Sequence, residues 1–183
     1  MDTRVQKGHR VELSRFREVI GAPEVQGSLA GDWGQVELNL GFELPIDYKE
    51  FISSYGSGEL MGVMLLFHPR GIAGDEGLSL SELWRTASDT YEALARTNSG
   101  APSFPIHPTV GGLIPIGRSI SGNHLFLVPP QTAGGVWNVA MEAGELVFFD
   151  MGFTDFIWAG LHGEVYPLLD GEPHFERMGA LGG

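Results

Sequence analysis

The tightest constraint on the fold lies between Asp32 and Gly58, DWGQVELNLGFELPIDYKEFISSYGSG, which fits two short helices and a turn. Asp32 is placed to cap the first helix, with Gln35 completing a capping box. Trp33, Val36 and Leu40 fall on one helical face, and Gly41 suits the left-handed residue that ends a helix. Pro45 fits the first position of the second helix, where no backbone N–H is needed. Asp47 falls in that helix's first turn, where the macrodipole favours a carboxylate. Tyr48, Phe51, Ile52 and Tyr55 make its buried face, and Gly56 stops it. All of this is scaffold, and none of it is chemistry.

The flanking chain extends the pattern. Residues 1–10 read as a polar arm, 11–177 as one domain and 178–183 as a loose tail. Val11–Ile20 is predicted helical, with Phe16, Val19 and Ile20 on one side and Gly21 at its end. Residues 22–31 form a connection. Leu60–Phe67 is expected to be one buried strand, in a composition that also permits a helix. Residues 68–77 are a loop. Ser79–Thr97 carries Leu80, Leu83, Trp84, Ala87, Tyr91, Leu94 and Ala95 at helical spacing, and Ser79 with Glu82 makes a capping box. After a loop to Pro108 come strands at Leu113–Arg118, His124–Val128, Val136–Met141 and Glu145–Phe149, joined by short turns. Thr154 is expected to cap a last helix holding Phe156, Ile157, Trp158 and Leu161, with an edge strand at Val165–Leu169. Helices precede strands without βαβ alternation. The expected fold is therefore α+β, a single domain with an antiparallel sheet and helices mainly on one face.

Composition narrows the function. The chain has no cysteine, which excludes disulfides, thiolate metal sites and a cysteine nucleophile, and fits a reducing cytoplasm. No apolar run suits a membrane span or an export signal. Net charge is −12 over 183 residues. Residues 1–18 hold five basic and three acidic side chains; the rest hold six basic against 20 acidic. Such a body repels nucleic-acid phosphates, so no direct nucleic-acid binding is expected, and it attracts basic partners. The same acidity also serves simple solubility.

Chemical motifs are scarce. His9, His68, His107, His124, His162 and His174 never stand three or four apart, so no helix presents two imidazoles together, and no HExxH occurs. The glycines of 56–62 follow a helix and precede a strand, the reverse of a dinucleotide loop. No phosphate loop exists, and Gly117–Ser121 lacks the last glycine of a nucleophile elbow. The acidic pairs Asp75–Glu76, Asp89–Glu92 and Asp170–Glu172 read as solvated surface, and Arg70 and Arg118 as partners for structural ion pairs. The expectation is no catalytic residue, no metal and no cofactor.

In order and spacing the chain resembles the SUKH superfamily (Smi/Knr-type). The pieces are Trp33 with Val36–Glu37, Leu40–Gly41, Leu44-Pro45 followed by Asp47-Tyr48-Lys49 and Phe51, and the glycine turn of 55–58. Then come Leu60-Met61-Gly62 before His68-Pro69, Gly111–Gly117, the Gly122-Asn123 turn before His124–Val128, Trp137, and Phe148–Phe149 leading to 153–161. One departure is Asn123, where the family often carries Asp; both suit a turn. The resemblance implies an α+β fold and a non-enzymatic binding role. Bacterial relatives resemble cytoplasmic immunity proteins that neutralise a cognate toxin, commonly a nuclease with a basic cleft. Trp33, Glu37, Leu44, Pro45, Tyr48 and Phe51 would then be fold determinants. Partner contacts are expected from Glu59, Asp75, Glu76, Glu82, Asp89 and Glu92. Two other readings stay open: a regulatory or scaffold module without a toxin, and a small hydrolase or ligand-binding domain using gathered carboxylates and histidines.

Overall fold

Three helices lead the chain: α1 (Leu13–Ile20), α2 (Ala30–Leu40) and α3 (Ile46–Tyr55). The computed structural model describes residues 10–23, 30–71, 79–97, 104–132, 134–165 and 169–178. After the helices come β1 (Gly58–Leu60), β2 (Met64–Leu66), α4 (Leu80–Thr97), β3 (Ile114–Ser119), β4 (His124–Val128), β5 (Asn138–Glu142), β6 (Leu146–Phe149), α5 (Phe153–Leu161) and β7 (Phe175–Arg177). The strands form one antiparallel sheet in the order β6-β5-β4-β3-β2-β1-β7, an α+β fold as expected.

Phe51 sits where the helical layer closes. Its ring lies 5.2 Å from Phe16, 4.8 Å from Tyr55, 5.5 Å from Phe153 and 6.2 Å from Phe175. These contacts join α1, α3, α5 and β7. Trp33 meets Tyr48 edge-on at 5.5 Å, which adds α2. Tyr48, Phe51, Ile52 and Tyr55 are all buried, as their helical spacing requires. The turn between α2 and α3 is held by Glu37, whose Oε1 accepts from the Leu44 N–H at 2.8 Å and from Lys49 Nζ at 2.6 Å.

Alternation along the strands divides the two sheet faces. Leu125, Leu127, Val139 and Met141 face the main core. Phe126 and Ala140 point the other way into a smaller cluster with Ile106 and Leu113. The later turns of α4 meet that second face, with Tyr91 against the rings of His124 and Phe126, while Leu80, Leu83 and Trp84 join the main cluster.

Several local expectations differ from the structure. α2 begins at Ala30, so Asp32 lies inside the helix and no capping box forms with Gln35. Asp32 Oδ1 instead accepts from Arg70 Nε at 2.6 Å, and Gln35 reaches Asn39. Pro45 is the cap residue of α3, one position before the helix. Ser79 Oγ does accept from the Glu82 N–H at 3.3 Å, but the Glu82 carboxylate turns to Arg85. Leu94 and Ala95 are exposed, because no residue of α4 beyond Tyr91 reaches the sheet face.

The expected strand at Leu60–Phe67 is a hairpin. Leu60 pairs with Met64 across three turn residues; Met61 (φ 56) and Gly62 (φ 68) both have positive φ, and the Val63 N–H closes on Leu60 O at 3.1 Å. The edge strand is β7 on β1, not Val165–Leu169. Val165 and Leu169 are buried, and 166–168 lie outside the described residues.

Thr154 does not cap α5. It is the second helical residue, after the cap residue Gly152 and Phe153. The acceptor comes from α3: Asp47 Oδ2 receives the Thr154 N–H at 3.1 Å and its hydroxyl at 3.4 Å, while Oδ1 receives the Tyr48 N–H at 2.9 Å. A cap side chain normally serves the N2 or N3 amide of its own helix. Here a carboxylate 107 residues away does so.

Asp47→Ala leaves the buried Thr154 N–H without an acceptor and is expected to cost about 1–3 kcal/mol. Asp47→Asn keeps an acceptor oxygen and should cost less. Phe51→Ala is expected to cost about 3–5 kcal/mol. Urea denaturation with matched slopes checks all three; an Asp47→Ala midpoint equal to wild type would refute the cross-helix cap.

Candidate functional site

Beside the sheet an open groove of roughly 720 Å³ lies between the α2–α3 turn and two loops, 107–112 and 129–137. Each wall follows from local chemistry. Gly41 ends α2 at φ 79 and sends the half-exposed Phe42 outward. The ring of Phe42 tilts onto Trp137 at 5.9 Å. The second wall is a tight loop closed by His107 N–H to Leu113 O at 2.9 Å and Leu113 N–H to Pro105 O at 2.8 Å. A Cβ at Gly112 would stand 2.6 Å from the Ile106 carbonyl carbon, so only glycine allows this approach. Val110 at the tip is 98% exposed. The third wall turns at Thr132–Gly135, with Pro129 and Pro130 in its lining.

The lining is mixed: Phe42, Val110 and Trp137 stand among Asn39, Thr109, Gln131 and Thr132. Glu43 is the one carboxylate among the described lining residues. His107 also lines it and stacks edge-on against Trp84 of α4 at 4.8 Å. Burial pushes the pKa of His107 down. Concavities that combine exposed apolar side chains with polar groups are common places to bind ligands or partners.

The described acidic residues expected to contact a partner, Glu59, Glu82, Asp89 and Glu92, do not gather in one place. Glu82, Asp89 and Glu92 line the outer side of α4. Arg85 bridges Glu82 and Asp89, and Arg96 pairs with Glu92. Glu59 stands apart on β1, with Leu65 between it and Arg118 in the cross-strand row. Asp75 and Glu76 lie outside the described residues. Composition did not reveal the groove, because its walls come from three distant segments. Gly41-Phe42, Gly111-Gly112 and the Pro129-Pro130 pair were its only local signals.

Two buried polar clusters accompany the fold. Glu142 Oε2 accepts from the His124 N–H at 2.9 Å and lies 3.3 Å from its Nδ1, which is 3.2 Å from the Tyr91 hydroxyl. Burial alone would raise the Glu142 carboxyl; hydrogen bonds from His124 and Tyr91 outweigh it and hold it below the usual range. Burial, then Glu142, pushes the Tyr91 phenol up. In the second cluster His68 Nδ1 accepts from the Arg70 N–H at 3.1 Å, so the neutral ring carries its proton on Nε2. That Nε2 and Asp32 Oδ2 are buried without a hydrogen-bond partner among the described residues. Ser57 Oγ accepts from the His68 N–H at 2.9 Å. Both clusters tie elements together. Among the described residues no three His, Asp or Glu side chains gather in metal-binding geometry, and no helix is long and apolar enough to cross a membrane.

A sequence model of the SMI1/KNR4 family (SUKH-1) matches residues 30–158, from the first residue of α2 into α5. That span includes every described wall of the groove. Domains of this family are generally non-enzymatic and typically bind protein partners, often as immunity proteins. No curated relative and no solved structure matches the chain.

The His68 corner sets a pH response. Burial lowers the His68 pKa below 6.5, Asp32 raises it by less, and Arg70 and Arg177 lower it further. The unfolded chain therefore takes up the proton first. The stability that neutral His68 contributes is full above the unfolded pKa and is lost as pH falls through it toward the folded one. His68→Asn keeps an acceptor for Arg70 and removes the titration. The denaturation midpoint is expected to fall less in His68→Asn than in wild type between about pH 7 and about pH 5. Parallel curves would show that His68 does not contribute.

Proposed function

We propose that this chain, which belongs to the SMI1/KNR4 family (SUKH-1), acts in the cytoplasm as an immunity protein and carries no catalysis of its own. Its partner is a basic toxin enzyme of nuclease type. The observation that carries this reading is an open groove that presents Phe42, Val110 and Trp137 on a strongly acidic protein. An apolar centre with charges around it is the usual plan of a protein interface. Nuclease clefts are basic because they hold phosphate, so an acidic inhibitor is drawn to them and covers them.

In this reading Phe42, Val110 and Trp137 supply the desolvated centre. Glu59, Asp75, Glu76, Glu82, Asp89 and Glu92 supply charge that steers the encounter. The ion pairs of Arg85 and Arg96 do not oppose this, since exposed pairs are worth little and exchange readily for a partner's cations. Glu37, Asp47, Tyr48 and Phe51 stay with the fold, because they are occupied in holding α2, α3 and α5 together.

Binding kinetics against the toxin encoded beside this chain test the proposal. Association is expected to slow as salt rises, because the Debye length shrinks from about 30 Å at 0.01 M to about 8 Å at physiological strength. Asp89→Lys with Glu92→Lys should slow association more than it speeds dissociation. Val110→Arg, at a fully exposed tip, should leave the fold intact and speed dissociation. A salt-independent on-rate would remove the electrostatic part. Failure to bind or protect against a neighbouring toxin would favour a regulatory interaction module without one.

A further inference from the structure

The sheet ends in two edges that differ in kind. β7 is three residues long and turns Phe175 inward beside Phe51 and Tyr55, which leaves Glu176 and Arg177 exposed. A short, charged strand is how proteins blunt an edge. β6 is built the other way. Leu146, Val147, Phe148 and Phe149 are all apolar, and the strand pairs with β5 without a bulge. Among the described residues no strand covers its outer side. Phe148, opposite Ala140, is 60% exposed. Along the chain the nearest charges are Glu145 and Asp150, one at each end; both are exposed and neither joins an ion pair among the described residues.

Such an edge offers backbone donors and acceptors to an incoming strand, and the flanking charges select which strand. If two copies paired through β6, parallel or antiparallel, acidic ends would meet at both ends of the ladder. Like charges facing across strands are destabilising. A strand with Lys or Arg on either side of an apolar stretch meets attraction at both ends instead. The net charge of −12 favours the same occupant. The edge also adjoins the groove: Phe149 pairs with Val139, and Trp137 precedes Val139 by two residues.

We propose that β6 is a docking edge that takes an extended apolar strand flanked by basic residues, supplied by the partner protein. The identity of that partner as a toxin rests on the proposed function; the edge itself does not. The probes are two short synthetic peptides with the same β-branched apolar centre, one flanked by lysines and one by glutamates. Amide-resolved NMR and hydrogen exchange follow residues 145–150. The lysine peptide is expected to bind about tenfold tighter than the glutamate peptide at low salt, as two cross-strand charge pairs allow. It should slow exchange at amides within 146–149. Glu145→Lys with Asp150→Lys, both at exposed positions, should reverse the preference without loss of fold.

An unchanged preference in that variant, or no response at β6, would overturn the proposal. So would sedimentation showing a dimer whose formation protects 146–149. A toxin that binds and is neutralised while these amides keep their free exchange rates would sink the docking edge and leave the proposed function standing. Reversed preference in the variant would uphold the edge even if no neighbouring toxin bound.

Discussion

One buried carboxylate joins two helices that the chain separates by more than half its length. Asp47 binds the Tyr48 amide on its own helix and both polar groups of Thr154 on α5. Gly152 makes room for it, since a Cβ there would stand 3.2 Å from Oδ2. The start of α5 is thereby fixed against α3. Phe153 then meets Tyr48 at 5.0 Å and Phe51 at 5.5 Å, and Phe156 meets Phe149 of the sheet at 4.9 Å. The aromatic core closes around this contact. An amide buried without an acceptor costs more than a typical hydrogen bond gains, so the contact specifies position as well as adding stability.

The margins of that layer are where binding is possible. The α2–α3 turn is stiffened by Glu37, so Phe42 is presented from a fixed base. The 107–112 loop is closed by its own backbone hydrogen bonds, and so holds Val110 in solvent without a core of its own. On the sheet's second face, Tyr91, His124 and Glu142 satisfy one another beneath α4. Their polar atoms are engaged in holding α4 to β4 and β5, which suits a binding scaffold. Rigid elements carrying exposed loops are the common arrangement for recognition.

Much of the fold is legible in the pattern of residue types. Helical spacing places Phe16, Trp33, Tyr48, Phe51 and Tyr55 in the core, and the short turns place β3 to β6 in one antiparallel run. The departures have two causes. Leu60–Phe67 is apolar throughout, so its turn has no polar mark, and Met61 adopts a positive φ that few non-glycine residues accept. The capping expectations for Asp32 and Thr154 assume that each acts on its own helix. Arg70 and Asp47 arrive from elsewhere and change both assignments.

By itself the sequence determined what depends on neighbours along the chain: helix faces, hairpins, the absence of thiol chemistry and an acidic charge that favours basic partners. Periodicity and composition are local or additive, so residue order alone contains them. The tertiary structure alone decided the rest. It chose Asp47 as the cap of α5, set Tyr91 of α4 against the second sheet face, assembled a groove from three distant segments and, among the described residues, left β6 at the end of the sheet. Each of these depends on which remote groups meet, and the reach of a side chain across space has no trace in the spacing of residues along the chain.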